Sequence, residues 1–81
     1  MERAAAAETV REALEKVLNG DPGPIEEEEN LVEVGLIDSL DSIRLLFEIE
    51  KRVGCKIVAA NDVKLETFHY GRLIDLVAHA N

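Results

Sequence analysis

The chain is poor in several things that would otherwise suggest a function. It has one cysteine, no tryptophan, two phenylalanines and one tyrosine among 81 residues. With Cys55 alone, no internal disulfide can form. With only Phe47, Phe68 and Tyr70 as aromatics, the core has to be built from Leu, Ile and Val. Basic residues are outnumbered, 9 Lys and Arg against 17 Asp and Glu, for a net charge of −8. Such a field repels nucleic acid and anionic lipid and attracts basic protein surfaces, so no nucleic-acid partner is expected. No apolar run approaches the roughly 20 residues a membrane helix needs, so no membrane role is expected either. The opening "MERAAAAETV" lacks the architecture of a cleavable signal, and a cytoplasmic location is the expectation. The length suits a single domain over residues 1–81. A chain of this size buries about 60–65% of its unfolded surface. That makes one small core but no deep catalytic cleft.

What is present is helical. "AAAAETVREALEKVLN" is rich in strong helix formers and predicts a first helix from about Ala4 to Leu18. Val10, Leu14, Val17 and Leu18 share one face, while Glu8, Arg11, Glu12, Glu15 and Lys16 turn to water. Asn19-Gly20, followed by Pro22 and Pro24, stops it. A long loop runs from Asn19 to about Ile37 and needs anchors. Leu31, Val34, Leu36 and Ile37 are the candidates, with Gly35 supplying a tight bend. A second helix starts near Asp38 or Ser39 and ends at Gly54. Leu40, Ile43, Leu45, Leu46, Phe47, Ile49 and Val53 give it more apolar surface than one stripe requires, so it is expected both to pack inward and to face a partner. "CKIVAANDVKLETF" predicts a crossing with a turn of helix after Asn61 or Asp62; "CKIV" has strand propensity but no partner strand. A last helix spans about Tyr70 to His79, with Leu73, Ile74, Leu76 and Val77 inward. The expected fold is all-α, a small four-helix bundle with a long loop between helices 1 and 2 and a short third helix.

The stretch that carries chemistry is "GLIDSLDSIRLLFEIEKRVG". Asp38 is a favoured helix N-cap, and Asp41 three residues later resembles a capping box. A cap alone contributes about 1 kcal/mol and would leave Ser39 an ordinary first-turn residue. The remaining reactive side chains offer less. Cys55 has no nearby basic pair and reads as a small buried residue. His69 and His79 lack metal-ligand spacing, so no metal site is expected. Glu26 to Glu29 read as a solvated acidic loop rather than a weak divalent-ion site. A Ser-His-Asp hydrolase needs a larger scaffold, and nothing marks the chain as an enzyme.

The long first loop, the Asp-Ser-Leu at the head of a wide apolar helix, the short crossing and the final helix together resemble the acyl carrier protein family. "GLIDSLDSIRLLFEIEKRVGCKI" carries the resemblance, and "NDVKLETFHYGRLIDLV" extends it over essentially the whole chain. The resemblance implies a four-helix carrier bundle and a 4′-phosphopantetheine arm, taken from coenzyme A, on the Ser39 hydroxyl. Acyl or aminoacyl groups ride on the arm's thiol as thioesters. Asp38 would cap the helix and meet the transferase or its metal-bound nucleotide substrate. The implied partners are a phosphopantetheinyl transferase, an acyl- or aminoacyl-loading ligase, and an acyl transferase or synthase, visited by a monomer.

In this family the second helix is the main recognition surface, which gives Asp38, Leu40, Asp41, Ile43, Arg44, Phe47 and Glu48 as candidate contacts. Leu40 and Phe47, seven apart, share a face and are expected to be partly exposed; Ile43 between them could equally be core. Unlike the strongly acidic second helix usual in bacterial fatty-acid carriers, Arg44, Lys51 and Arg52 here offset Asp41, Glu48 and Glu50. That neutrality points toward carriers of specialised pathways. Leu46, Ile49, Ile57, Leu65, Phe68 and Leu73 could line a sheltering cavity or simply pack as core. Val58 stands where many relatives have proline. The competing reading is an unmodified helical docking module for a basic protein surface; a small metal or redox protein lacks a ligand set.

Overall fold

The computed structural model describes residues 1–80. It is all-α, with three α-helices: α1 over Arg3–Leu18, α2 over Ser39–Val53 and α3 over Tyr70–Ala78. The expected fourth helix is absent as an α-helix. In its place are two short 3₁₀ turns, Ala60–Asp62 and Leu65–Phe68. The segment carries Asn61, Asp62, Val63 and Thr67, whose side chains either compete with the backbone for hydrogen bonds or are stiff at χ1. Thr67 shows the competition directly, its hydroxyl accepting from the Lys64 N–H at 3.0 Å. Residues 55–58 form no strand.

The helix ends follow the chemistry of their residues. Asn19 caps α1 in the left-handed conformation, φ 57°, and the N–H groups of Asn19 and Gly20 both donate to the Glu15 carbonyl. Gly54, φ 86°, ends α2 and donates to the Glu50 carbonyl at 2.8 Å. That backbone region is open to glycine without steric cost.

α1 packs against both α2 and α3. The core joins Ala6, Val10, Ala13 and Leu14 of α1, Leu45, Leu46 and Ile49 of α2, and Leu73, Ile74 and Val77 of α3. Leu31, Ile37 and Phe68 complete it from the connections, and Tyr70 from the first position of α3. Val17, Leu18 and Leu36 are only partly buried. Burying a side chain of this size contributes about 1.5–3 kcal/mol, so Leu31 and Ile37 are the main apolar anchors of the long loop. Three expected inward residues fail to reach the core, among them Leu76, which is half-buried on α3 outside the core cluster. Val34 is exposed, because the chain reverses there: the Gly35 N–H donates to the Val32 carbonyl. Leu65 is exposed on the second 3₁₀ turn, whose inward positions go to Thr67 and Phe68.

The acidic run Glu26–Glu29, expected to be merely solvated, is structural. The Glu27 carboxylate takes two hydrogen bonds from the Arg3 guanidinium, at 2.7 and 2.8 Å, and Arg3 Nε donates to Asp75 at 2.8 Å. One guanidinium thus ties α1, the loop and α3 together. Its hydrogen bonds to Glu27 and then Asp75 raise the Arg3 pKa, and the same bonds hold both carboxylates below their ordinary values. The loop backbone takes part as well: the Tyr70 N–H donates to the Glu29 carbonyl and the Gly71 N–H to the Glu27 carbonyl. Alongside, Asn30 and His69 form an isolated antiparallel bridge.

Candidate functional site

Asp38, Ser39 and Leu40 lie together where the loop hands over to α2, and all three are exposed. Ile37, immediately before, is buried and fixes where the helix begins. Asp38 is the N-cap: its backbone is extended, and its Oδ1 accepts the Asp41 N–H at 2.8 Å. The Asp38 carbonyl accepts both the N–H and the hydroxyl of Ser42, at 2.9 and 2.8 Å. Only half of the expected capping box forms, because the Asp41 carboxylate turns instead to Arg44 at 3.5 Å. Ser39 is the first residue of α2. The N–H groups of Ser39 and Leu40 take no partner among the described residues. These are the unpaired donors every helix start presents, and they carry its partial positive charge.

The remaining sequence-predicted contacts follow along α2. Leu40 and Phe47 are each 67% exposed and Ile43 is 46% exposed, so Ile43 belongs to the surface rather than the core. Arg44 is exposed, whereas Asp41 and Glu48 are half-buried beneath cations: Arg44 over Asp41, Lys51 and Arg52 over Glu48. Beside this face a shallow groove of about 160 Å³ is lined chiefly by Ile43, Leu46, Phe47, Lys56, Val58 and Val63. It shares only Leu46 with the cavity lining expected from sequence. Ile49, Phe68 and Leu73 are packed in the core, Ile57 is half-buried and Leu65 lies outside. Cys55 is half-buried rather than enclosed.

An exposed serine thus stands at a capped helix start, next to an exposed apolar face. A family model described as the phosphopantetheine attachment site matches residues 8–79. The chain belongs to this family. Phosphopantetheine attachment domains are carriers rather than enzymes, and they hold 4′-phosphopantetheine covalently. They interact with phosphopantetheinyl transferases and with acyl-handling enzymes. No curated protein and no solved structure matches the carrier's sequence or fold. Among the carrier's described residues no helix is long and apolar enough to cross a membrane, and no cluster of metal-ligating side chains occurs.

The carrier's start of α2 fits the group that its family holds. A phosphodiester needs a hydroxyl open to a transferase, and Ser39 is exposed. A phosphate is stabilised by free helix N–H groups, and two lie at Ser39 and Leu40. The carrier also has features that sequence reasoning missed. Asn30 and Arg3 tie distant segments together, and Ala6 and Ala13 are buried although alanine reads only as a helix former.

Proposed function

We propose that this carrier tethers acyl or aminoacyl groups as thioesters on a 4′-phosphopantetheine arm attached at Ser39 and presents them to partner enzymes, in a specialised pathway rather than bulk fatty-acid synthesis. The observation that carries the proposal is an exposed serine at the first position of α2, held in place by the Asp38 cap. When bound, the arm supplies a terminal thiol on which a carboxylic acid is carried in activated form. The chain's own residues do the rest. Ser39 provides the hydroxyl that becomes the phosphodiester oxygen. The Ser39 and Leu40 N–H groups are free to bond phosphate oxygens. Asp38 keeps its carboxylate on the Asp41 N–H, which fixes the helix start and places one negative charge beside the site, where a transferase or its metal-bound nucleotide substrate can meet it.

The α2 surface supports the specialised assignment. Asp41 and Glu48 are paired with cations on the same helix and Glu50 is engaged by the Ile57 N–H, so it lacks the acidic face usual in bacterial fatty-acid carriers. Leu40, Ile43 and Phe47 then supply the docking contact, with a loading ligase and an acyl transferase or synthase as successive partners of a cytoplasmic, monomeric, single-domain carrier.

The test is an intact mass after incubation with coenzyme A and a broad-specificity phosphopantetheinyl transferase, on wild type and Ser39→Ala. One added phosphopantetheine in wild type alone is the expected result. No addition to folded wild type with several transferases would remove Ser39 as the attachment residue and leave an unmodified helical docking module.

A further inference from the structure

The chain as a whole is strongly acidic, but the face of α2 that points outward is not. Leu40, Ile43 and Phe47 recur at helical spacing and are exposed. Arg44 lies four residues after Leu40, and Lys51 four after Phe47, so both cations stand on the same side of the helix as the apolar stripe. Their side chains are 58% and 75% exposed. The acids they pair with are Asp41, at 25%, and Glu48, at 15%. The third carboxylate of the helix, Glu50, accepts the Ile57 backbone N–H at 3.2 Å and is drawn toward the following loop. Lys56 adds a further exposed cation in the groove beside Ile43 and Phe47. The stripe therefore carries exposed guanidinium and ammonium heads over the mostly covered Asp41 and Glu48, while Glu50 borders the groove beside Lys56 and Asp38 stays exposed at the helix start.

Over contact distances this local pattern outweighs the net charge of −8. The Debye length is about 8–10 Å at physiological salt, so distant carboxylates on α1 and the acidic loop are largely screened at a surface pressed against α2.

We propose that the outward face of α2 docks into protein surfaces that are apolar at the centre and rimmed with carboxylates opposite Arg44 and Lys51. This is the reverse of the basic surface that the overall charge would select. The inference rests on the carrier reading for its biological setting, but its physical content is separable from Ser39 modification. Apolar burial by Leu40, Ile43 and Phe47 supplies affinity, and the cations set orientation and exclude basic surfaces.

The test uses the full ¹⁵N-labelled chain and two amphipathic helical peptides that share one leucine face. One carries glutamates along the edges of that face and the other carries lysines. The glutamate peptide is expected to shift amides across residues 40–51 and to bind more tightly than the lysine peptide. Arg44→Glu and Lys51→Glu should each weaken the glutamate peptide about fivefold, as does loss of one exposed charge pair near the upper end of its range. Arg44→Gln and Lys51→Gln should weaken it less. The same spectra report whether each variant is folded. Equal or tighter binding of the lysine peptide at α2, charge reversals without effect, or no shift at α2 from either peptide would each overturn the proposal. Intact mass on wild type reads the attachment separately. A chain that is modified at Ser39 yet prefers the lysine peptide loses only this inference. A chain that prefers the glutamate peptide but is never modified loses only the Ser39 assignment.

Discussion

The helices α2 and α3 begin with the same physical problem and answer it in opposite ways. Each start exposes backbone N–H groups that the helix itself cannot pair. At α3 all are taken: Tyr70 donates to the Glu29 carbonyl, Gly71 to the Glu27 carbonyl, and Arg72 to Nδ1 of His69, at 2.8, 2.9 and 3.3 Å. The loop that supplies the two glutamate carbonyls is itself clamped by Arg3 and by Asn30. At α2 the cap takes one donor, Asp41, and leaves Ser39 and Leu40 unpaired beside an exposed hydroxyl. The donors are chemically identical. Where the fold consumes them they hold two segments together, and where it leaves them free they can receive an anion.

Breaking the closed start should cost the most. Leu31 is fully buried beside it, and its N–H donates to the Phe68 carbonyl. Leu31→Ala is expected to cost about 2–5 kcal/mol in urea denaturation. Set against roughly 4–12 kcal/mol for a domain of this length, that is a large share. Next comes Asn30, which donates to the Leu65 carbonyl and accepts the Val32 and Glu33 N–H groups. Asn30→Ala leaves these groups unpaired, at an expected cost of about 1–3 kcal/mol.

The open start should be more forgiving. Asp38→Ala is expected to lower stability by about 1 kcal/mol, with Asp38→Asn retaining most of it, by the same denaturation assay. A closed-end test by pH follows from the brace. Arg3 depresses the folded-state pKa of Glu27 and Asp75, so the folded state binds fewer protons than the unfolded chain. That stability is present above the ordinary carboxylate range of roughly 4–4.5 and is lost as pH falls through the depressed values. Arg3→Ala should therefore flatten the acid limb of the stability curve, while Asp38→Ala should not affect this brace. At the small end, Phe47→Ala should change stability by about 0.5 kcal/mol or less, because the ring is largely in water. A larger loss would mean that the α2 face is structural rather than offered to a partner.

How far the sequence could be read follows the same division. The start of α2 is local: Asp38, Ser39 and the apolar spacing behind them lie within a few residues, so its boundary, the Asp38 cap and the exposure of Leu40 and Phe47 could be anticipated, while Ile43 could not be assigned to surface or core. The start of α3 is assembled from residues far apart in the chain. Nothing in "EEEE" distinguishes Glu27, held by Arg3, from Glu28, and nothing in Asn30 announces Leu65 as its acceptor. The expectation of a fourth helix failed for a related reason. Apolar residues are present between Ile57 and Phe68, but the stiff and self-bonding side chains among them favour separate 3₁₀ turns. Val34 reads as an anchor in sequence yet lies exposed, because a hydrophobic residue in a loop carries no periodicity to say which way it faces.

The end of α1 also bears on the chemical ageing of the protein. Asn-Gly pairs deamidate when the glycine nitrogen attacks the asparagine amide carbon, and exposed turns favour the attack. Here the Gly20 nitrogen is engaged with the Glu15 carbonyl at 3.1 Å while Asn19 sits in the left-handed cap. The fold thus withholds the nucleophile for as long as the last turn of α1 stays wound. Each fraying of that turn releases it, so the slow appearance of aspartate and isoaspartate at position 19 during storage would serve as a clock for how often the helix end opens.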